Sequence, residues 1–262
     1  MKKSLELLLY ELAHLLRIKG LWFYALSVAG VSAAFFFLTG DERKVLLSLL
    51  SFTLLAVPLV SGFFSVSYFY DTKEFTEFLL AQPVGRGELL FARWAALALA
   101  LTLLYAAGVA AGLTLKGFSL QEKAGFLWLA LSGTFLTLSF CSLAFLAGVL
   151  FDDKAKGVSA VLAAWLYFTL LHDALILTVV YLFKDYPLEK PVVLLTLLSP
   201  VDLARLLVVL RLDVAALMGL TGTVIKELLG SFKGTLLSIS ALVLWSLVPF
   251  TLSWLLFRKK DL

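Results

Sequence analysis

The chain contains few of the residues that enzymes and metal sites use. Its 262 residues include one cysteine, two histidines and two methionines, which are scattered along the sequence. A single cysteine, Cys141, excludes an intrachain disulfide. Copper conduction needs clustered thiol, thioether or imidazole groups, and no such cluster is visible in this sequence. We therefore expect no metal site and no resident cofactor.

Several functional motifs are also absent from the sequence. It has no G-x-x-x-x-G-K-[S/T] phosphate loop, so the chain does not bind ATP by that route. The lack of an H-E-x-x-H motif or paired cysteines disfavours an intramembrane enzyme. No dense Lys/Arg run with interleaved aromatic residues is present, so we expect no nucleic-acid partner.

Charge is scarce and apolar residues are abundant. Charged residues make up 15% of the chain and hydrophobic residues 61%, against about 25% and about 45–50% in soluble domains. A soluble fold of this length could not cover so much apolar surface. The composition predicts an integral membrane protein in contact with lipid, with residues 1–262 forming a single transmembrane domain.

Long apolar stretches are the main positive signal. A helix needs about 20 mostly apolar residues to cross a bilayer, and the strict alternation of a transmembrane β-strand is absent. The predicted fold class is therefore all-α integral membrane, with six transmembrane helices. The predicted spans are Leu21–Leu38, Val45–Phe69, Leu89–Leu115, Gly125–Phe151, Val158–Phe183 and Thr235–Phe257.

Basic residues favour one side of these spans. The opposite short loops hold only Arg43, Lys44, Lys116 and Lys123. The positive-inside rule then predicts a multi-pass protein of the inner (plasma) membrane with both termini in the cytoplasm. The basic residues on the predicted cytoplasmic side are Lys2, Lys3, Arg17, Lys19, Lys73, Arg86, Arg93, Lys154, Lys156, Arg258, Lys259 and Lys260.

Two predicted elements lie outside the spans. Residues 1–20 carry leucines at i, i+3, i+4 spacing, which is typical of an amphipathic helix on the membrane interface. Residues 184–234 form the longest extramembrane piece and are predicted to be extracytoplasmic. There Ser199-Pro200 is a plausible helix start, with Asp202 in the first turn. We expect short helices at the outer membrane surface; a simple connecting loop is the alternative.

Segment 71–88, between the second and third spans, is patterned. On a helix from Thr72, the apolar residues Phe75, Phe78 and Leu79 share one stripe, and Lys73, Glu74 and Glu77 lie elsewhere. Pro83, followed by Gly85 and Gly87, would end that helix. Periodicity alone favours an ordinary amphipathic loop at the membrane interface between two spans.

Residues 75–90, FTEFLLAQPVGRGELL, resemble the LLLxxPVSRxxIL region of ABC-2-type transporter permeases. The resemblance extends over nearly the whole chain through the six spans and the helical segments outside them. It implies that segment 71–88 is a coupling helix that docks on an ABC ATPase subunit. It also implies a homodimer with two such subunits, which would bind the ATP. The residues expected to meet the ATPase are Glu74, Phe75, Glu77, Phe78, Pro83 and Arg86.

A narrower resemblance is to NosY-type permeases. It is carried by KAKG at 154–157, AAWLYF at 163–168 and LHDAL at 171–175, which resemble the fifth span of that subfamily. LSPVDLARL at 198–206 resembles its NPxDxxRL segment, with Ser199 where Asn is usual. The resemblance implies a role in the maturation of copper-containing nitrous oxide reductase. It also implies a periplasmic partner protein, which Pro200, Asp202 and Arg205 are expected to meet.

This role leaves the cargo open. Since the chain is poor in copper ligands, we expect it to move something other than copper, or only to transmit ATPase motion to an outer partner. An ABC-2 exporter of a lipid, polysaccharide or drug is the alternative.

His172 and Asp173 are adjacent ionisable residues inside the fifth predicted span. An Asp at the centre of a bilayer costs about 3 kcal/mol on insertion scales. The pair is therefore a candidate for the translocation path or a dimer seam, although a structural hydrogen bond to a neighbouring Ser or Thr is also open. A proton-coupled secondary transporter acting through Asp173 would need broken helices and inverted repeats, and no convincing repeat is visible.

Overall fold

The computed structural model describes residues 2–39, 42–80, 85–113, 120–183, 189–210 and 220–259, and the regular structure in these residues is helical. A π-helical turn, Tyr167–Leu171, links the seventh and eighth α-helices. The α-helices are α1 (Lys2–Leu15), α2 (Lys19–Leu38), α3 (Glu42–Asp71), α4 (Lys73–Leu80), α5 (Arg86–Leu113), α6 (Leu120–Leu150), α7 (Lys154–Leu166), α8 (His172–Leu182), α9 (Glu189–Leu197), α10 (Pro200–Val209) and α11 (Leu220–Lys259).

Within the described residues, six helical segments are each long and apolar enough to cross a membrane. Each overlaps one predicted span, so the all-α membrane fold class is confirmed. The helical segments begin one to four residues before the predicted spans, because hydropathy marks the apolar part of a helix and not its polar first turn. The segments are Lys19–Leu38, Arg43–Asp71, Arg86–Leu113, Ala124–Leu150, Lys154–Leu182 and Phe232–Lys259.

One end of the bundle gathers α1, α4, the start of α7 and the end of α11; we call it the α4 end. The Phe69 and Phe257 rings lie 6.5 Å apart there. The Tyr70 hydroxyl donates to the carbonyl of Phe151 at 2.8 Å, and Lys154 pairs with Asp71 at 2.6 Å. Helix α1 and the end of α11 therefore lie on the same side as α4, as an even number of spans requires.

The spans differ in how much of their surface the bundle covers. In the fourth span, within α6, 67% of the most apolar stretch is buried, against 17% in the fifth span, formed by α7, the π-turn and α8. Since α6 packs against α3, α5, α10 and α11, it forms the centre of the fold. The fifth span lies at the periphery and leaves most of its surface for lipid or another protein.

Small residues allow α5 to approach α2 closely. A Cβ placed on Gly108 would lie 2.8 Å from Cβ of Val28, and one on Gly112 would lie 2.9 Å from the ring of Phe36. Such contacts are far shorter than normal van der Waals distances. The small-residue spacing of α5 therefore serves packing within the chain.

The α9–α10 pair is the main departure from the expected layout. The two helices meet at a 108° bend, and the Ser199 hydroxyl accepts from the backbone N–H of Asp202 at 3.2 Å, which caps α10 as predicted. Every residue of α10 except Arg205 is buried, so α10 packs into the bundle and does not form a loosely attached surface helix. Helix α10 is apolar on nearly all sides, and such a helix is stable only inside the protein.

The last helix also differs from expectation. Span six is predicted from Thr235, but α11 begins at Leu220. The added turns contain Lys226, Glu227 and Lys233, which hydropathy excludes from a span although they are good helix formers. The apolar span within α11 begins at Phe232, three residues before the predicted Thr235, so the added turns extend the helix beyond that span.

Candidate functional site

Four charged or titratable side chains from two elements meet in one group, which we call the charged cluster: His172, Asp173, Asp202 and Arg205. The Nδ1 atom of His172 lies 2.6 Å from Oδ2 of Asp202. Arg205 donates from Nη1 and Nη2 to the two carboxylate oxygens of Asp173, both at 3.0 Å. Its Nη1 also lies 3.3 Å from Oδ1 of Asp202. Arg205 therefore bridges two carboxylates, and α10 is joined to the fifth span by one ion pair and one histidine–carboxylate contact.

A local change of helix geometry places the two residues of the fifth span. The backbone N–H of His172 donates to the carbonyl of Tyr167, five residues earlier, so the turn is wider than in an α-helix. Such π-bulges often occur at functional sites because they shift the facing of the residues that follow. Here the bulge directly precedes the two residues that contact α10.

Burial divides the cluster into an inner and an outer pair. The side chains of His172 and Asp202 are 1% and 3% exposed, whereas those of Arg205 and Asp173 are 28% and 40% exposed. The inner pair is shielded from any ligand. A ligand could reach the outer pair and take the place of one member in its contact with the other.

The outer pair borders an open cavity of about 460 Å³. Besides Asp173 and Arg205, its lining includes Ser51 of α3, Thr169 of the π-turn and Val201 of α10. A charged pair facing a cavity inside a membrane bundle needs water or a polar partner there. The arrangement is therefore suited to hold a polar or charged group.

The sequence predicted these residues as two separate groups. His172 and Asp173 were expected on a translocation path or seam, and Pro200, Asp202 and Arg205 at an outer partner. The structure joins the two groups. Asp173 pairs with an arginine rather than with the Ser or Thr proposed as the structural alternative. Pro200 is buried at the first position of α10 and starts that helix.

The predicted coupling residues are only partly described by the structure. Glu74 and Phe75 lie exposed on α4, with Phe75 41% exposed. Glu77 and Phe78 belong to the backbone of α4, but their side chains lie outside the described residues. Pro83 lies entirely outside the described residues. Arg86 is exposed at the start of α5. A short helix followed by a return into a span agrees with the predicted pattern.

A second polar group lies at the α4 end, and we call it the α4 junction: Glu11, Tyr68, Thr76 and Arg93. Arg93 of α5 donates from Nε to Oε1 of Glu11 on α1 at 3.0 Å. Its Nη1 donates to the Thr76 hydroxyl on α4 and, at 3.4 Å, to the carbonyl of Thr72. Tyr68 of α3 donates its hydroxyl to Oε2 of Glu11. Four helices therefore meet at one ion pair.

The α4 junction is missed by the sequence reasoning, which treats Arg93 only as one more basic residue on the cytoplasmic side. Two signals point to it. Arg93 follows Leu89-Leu90-Phe91-Ala92 within the third predicted span. Glu11 lies three residues after Leu8 and four before Leu15, on the apolar stripe of the amphipathic helix. A charge on an apolar stripe indicates a buried partner.

Comparison with known proteins agrees with this architecture. The family model described as "ABC-2 family transporter protein" matches residues 26–262. A protein of Pseudomonas aeruginosa named "Probable ABC transporter permease protein NosY" is 30% identical over 192 residues, which cover 70% of this chain and 68% of that protein. The family match covers the segments from which the resemblance was inferred.

Proposed function

Because the chain belongs to the ABC-2 family of transporter proteins and is a membrane permease of an ABC transporter, we propose that segment 71–88 receives the motion of a separate ATPase subunit. The family implies an ATPase partner and a lipid environment. The finer assignment, that α4 is the coupling helix, is our proposal.

The observation that carries the proposal is the position of α4. It projects polar and aromatic side chains at the end of the bundle where α1 and the end of α11 also lie. It is joined to α1, α3 and α5 through the α4 junction. An exposed aromatic residue such as Phe75 next to a carboxylate such as Glu74 is a suitable anchor for a protein groove. A load applied to α4 would therefore reach two spans directly.

We further propose that the α4 end is cytoplasmic, as the positive-inside rule predicts. The working complex would be a homodimer of this chain with two ATPase subunits. The fifth span supports a seam at its outer surface, because most of it is uncovered and it carries the half-exposed Asp173. A second copy would shield that carboxylate from lipid.

At the opposite end, the charged cluster is proposed to line the path of a polar cargo or to relay motion to an extracytoplasmic partner. Its link between the fifth span and α10 would transmit movement of one to the other. The resemblance to NosY-type permeases supports a role in nitrous oxide reductase maturation; export of a lipid, polysaccharide or drug is the alternative. With so few soft ligands, the permease itself is not expected to conduct copper, and high-affinity copper binding to the purified permease would contradict this.

The experiment is co-purification. The permease, tagged at one terminus, would be isolated from its native membrane in mild detergent, and the co-purifying subunits identified and counted. We expect an ABC ATPase subunit in equal number to the permease, two of each per complex. Nucleotide-independent transport by the isolated permease in liposomes would contradict the proposal and favour the proton-coupled alternative.

A further inference from the structure

We propose that Arg93 is the positioning residue that transmits movement of α4 to the spanning helices, and that the α4 junction works as one mechanical unit. The inference rests on the proposed function of α4 and assigns a role to residues that the predicted coupling set does not include.

The first argument is connectivity. One guanidinium contacts a carboxylate of α1, a hydroxyl of α4 and the backbone carbonyl between α3 and α4. The planar fork of Arg allows several directed hydrogen bonds at once, which the point charge of Lys does not. Displacement of α4 must therefore pull on α5 and α1 together or break these bonds.

The second argument is burial. The side chains of Arg93 and Glu11 are 6% and 3% exposed. Removing one member of such a pair leaves an uncompensated buried charge, so the contact resists separation far more than an exposed ion pair does. The Lys154–Asp71 ion pair at the same end has side chains that are 51% and 62% exposed. Such an exposed pair contributes little free energy, so it serves as a matched control.

The third argument is a direct contact between Arg93 and an aromatic residue of α4 that is proposed to meet the ATPase. The Arg93 guanidinium lies 5.9 Å from the ring centroid of Phe75, within the range of a cation–π contact. Phe75 is also one of the residues proposed to meet the ATPase. A partner that moves this ring therefore acts on Arg93 directly, and no intermediate residue is needed.

One atom of Arg93 is not fully satisfied in this arrangement. Its Nη2 is buried and forms no hydrogen bond within the described part of the chain.

The test uses the complete permease–ATPase complex in lipid nanodiscs and needs no knowledge of the cargo. Ser51, which lines the cavity of the charged cluster, is replaced as Ser51→Cys to serve as a reporter. The native Cys141 is fully buried, and a chain without the reporter measures its background labelling. The rate of labelling by a water-soluble maleimide is compared with and without ATP plus vanadate, alongside ATP hydrolysis and the amount of bound ATPase.

In the reporter background we expect a nucleotide-dependent change in labelling rate. Thr76→Val and Arg93→Gln should reduce that change about fivefold, in the range known for residues that couple distant sites. Assembly and hydrolysis should remain. Tyr68→Phe, which loses only the hydrogen bond to Glu11, should have a smaller effect, and Lys154→Met none.

The outcomes separate the two levels of the proposal. If the reporter background shows no nucleotide-dependent change, the proposed coupling function fails. If the reporter background shows a nucleotide-dependent change, and Thr76→Val and Arg93→Gln show the same change, the role of Arg93 is refuted. A purely structural role would lower assembly and hydrolysis of the Thr76→Val complex in parallel with its labelling, which also contradicts the inference. If Arg93→Gln does not assemble, the uncharged, nearly isosteric Thr76→Val decides alone.

Discussion

Arg205 and Asp173 face each other as a bidentate ion pair, with both N–O distances at 3.0 Å, although they belong to different helices. The pair lies beside a cavity and is only partly covered, and Arg205 also reaches the buried Asp202 at 3.3 Å. A charged pair of this kind within a membrane bundle indicates function more than stability, because its desolvation cost offsets much of its attraction.

Asp173→Ala tests the role of the outer pair. We expect loss of transport or of partner maturation, with the amount of assembled permease–ATPase complex unchanged, because Arg205 keeps its contact with the buried Asp202. The activity of purified or membrane-embedded complex is measured beside its subunit content. Asp173→Asn is the matched control, since it keeps the shape and removes the charge. Normal activity in the alanine variant would show that Asp173 is not part of the path.

Asp202→Ala tests the inner pair through stability. It leaves His172 without its partner and removes one carboxylate from Arg205, so we expect a loss of about 3–5 kcal/mol in unfolding free energy. The buried Cys141 makes the measurement direct, because a thiol-reactive fluorophore reacts as the chain unfolds. Asp202→Asn should lose less than Asp202→Ala. If Asp202→Ala and the parent chain unfold at the same temperature, the contact between His172 and α10 contributes little to stability.

Packing of α5 on α2 is tested by a pair of glycine replacements. Gly112→Ala places a methyl group where Phe36 and Ser32 already lie, so we expect destabilisation by about 1–3 kcal/mol. Gly30→Ala is the control, because nothing lies within 4 Å of its added methyl group, and helix propensity favours Ala by about 1 kcal/mol. The unfolding of both variants is measured through the reaction of Cys141 with the thiol-reactive fluorophore. A stable Gly112→Ala variant would contradict the close approach of the two helices.

The coupling segment is tested by Phe75→Ala and Glu77→Lys. If these residues anchor the ATPase, truncation of the aromatic side chain should weaken the subunit contact by about 2 kcal/mol, or roughly 30-fold in dissociation constant. Charge reversal at Glu77 should separate ATP hydrolysis from transport. Phe37→Ala serves as control, because this phenylalanine is 78% exposed near the end of α2 that is remote from α1 and the α4 end. Unchanged affinity and coupling in both test variants would mean that α4 is not the docking helix.

The spans and the cap of α10 were accessible from sequence because both depend on local signals. Twenty apolar residues define a span wherever they occur, and Ser199-Pro200 with Asp202 is a local helix start. The tertiary polar contacts were not accessible. His172 and Asp202 are 30 residues apart, and Glu11 and Arg93 are 82 apart. Their pairing depends on how the helices pack, which one sequence does not reveal. The buried position of α10 was missed for the same reason.

Site-specific photo-cross-linking tests the central claim most directly, namely that α4 is the element on which the ATPase acts. A benzophenone amino acid is introduced in place of Phe75 on α4, and separately in place of Tyr181 on α8, which is 77% exposed at the opposite end of the bundle. After illumination of native membranes, the account predicts a covalent adduct with the ATPase subunit from position 75 and none from position 181. An adduct from position 181, or none from position 75 in membranes where the complex is assembled, would contradict it.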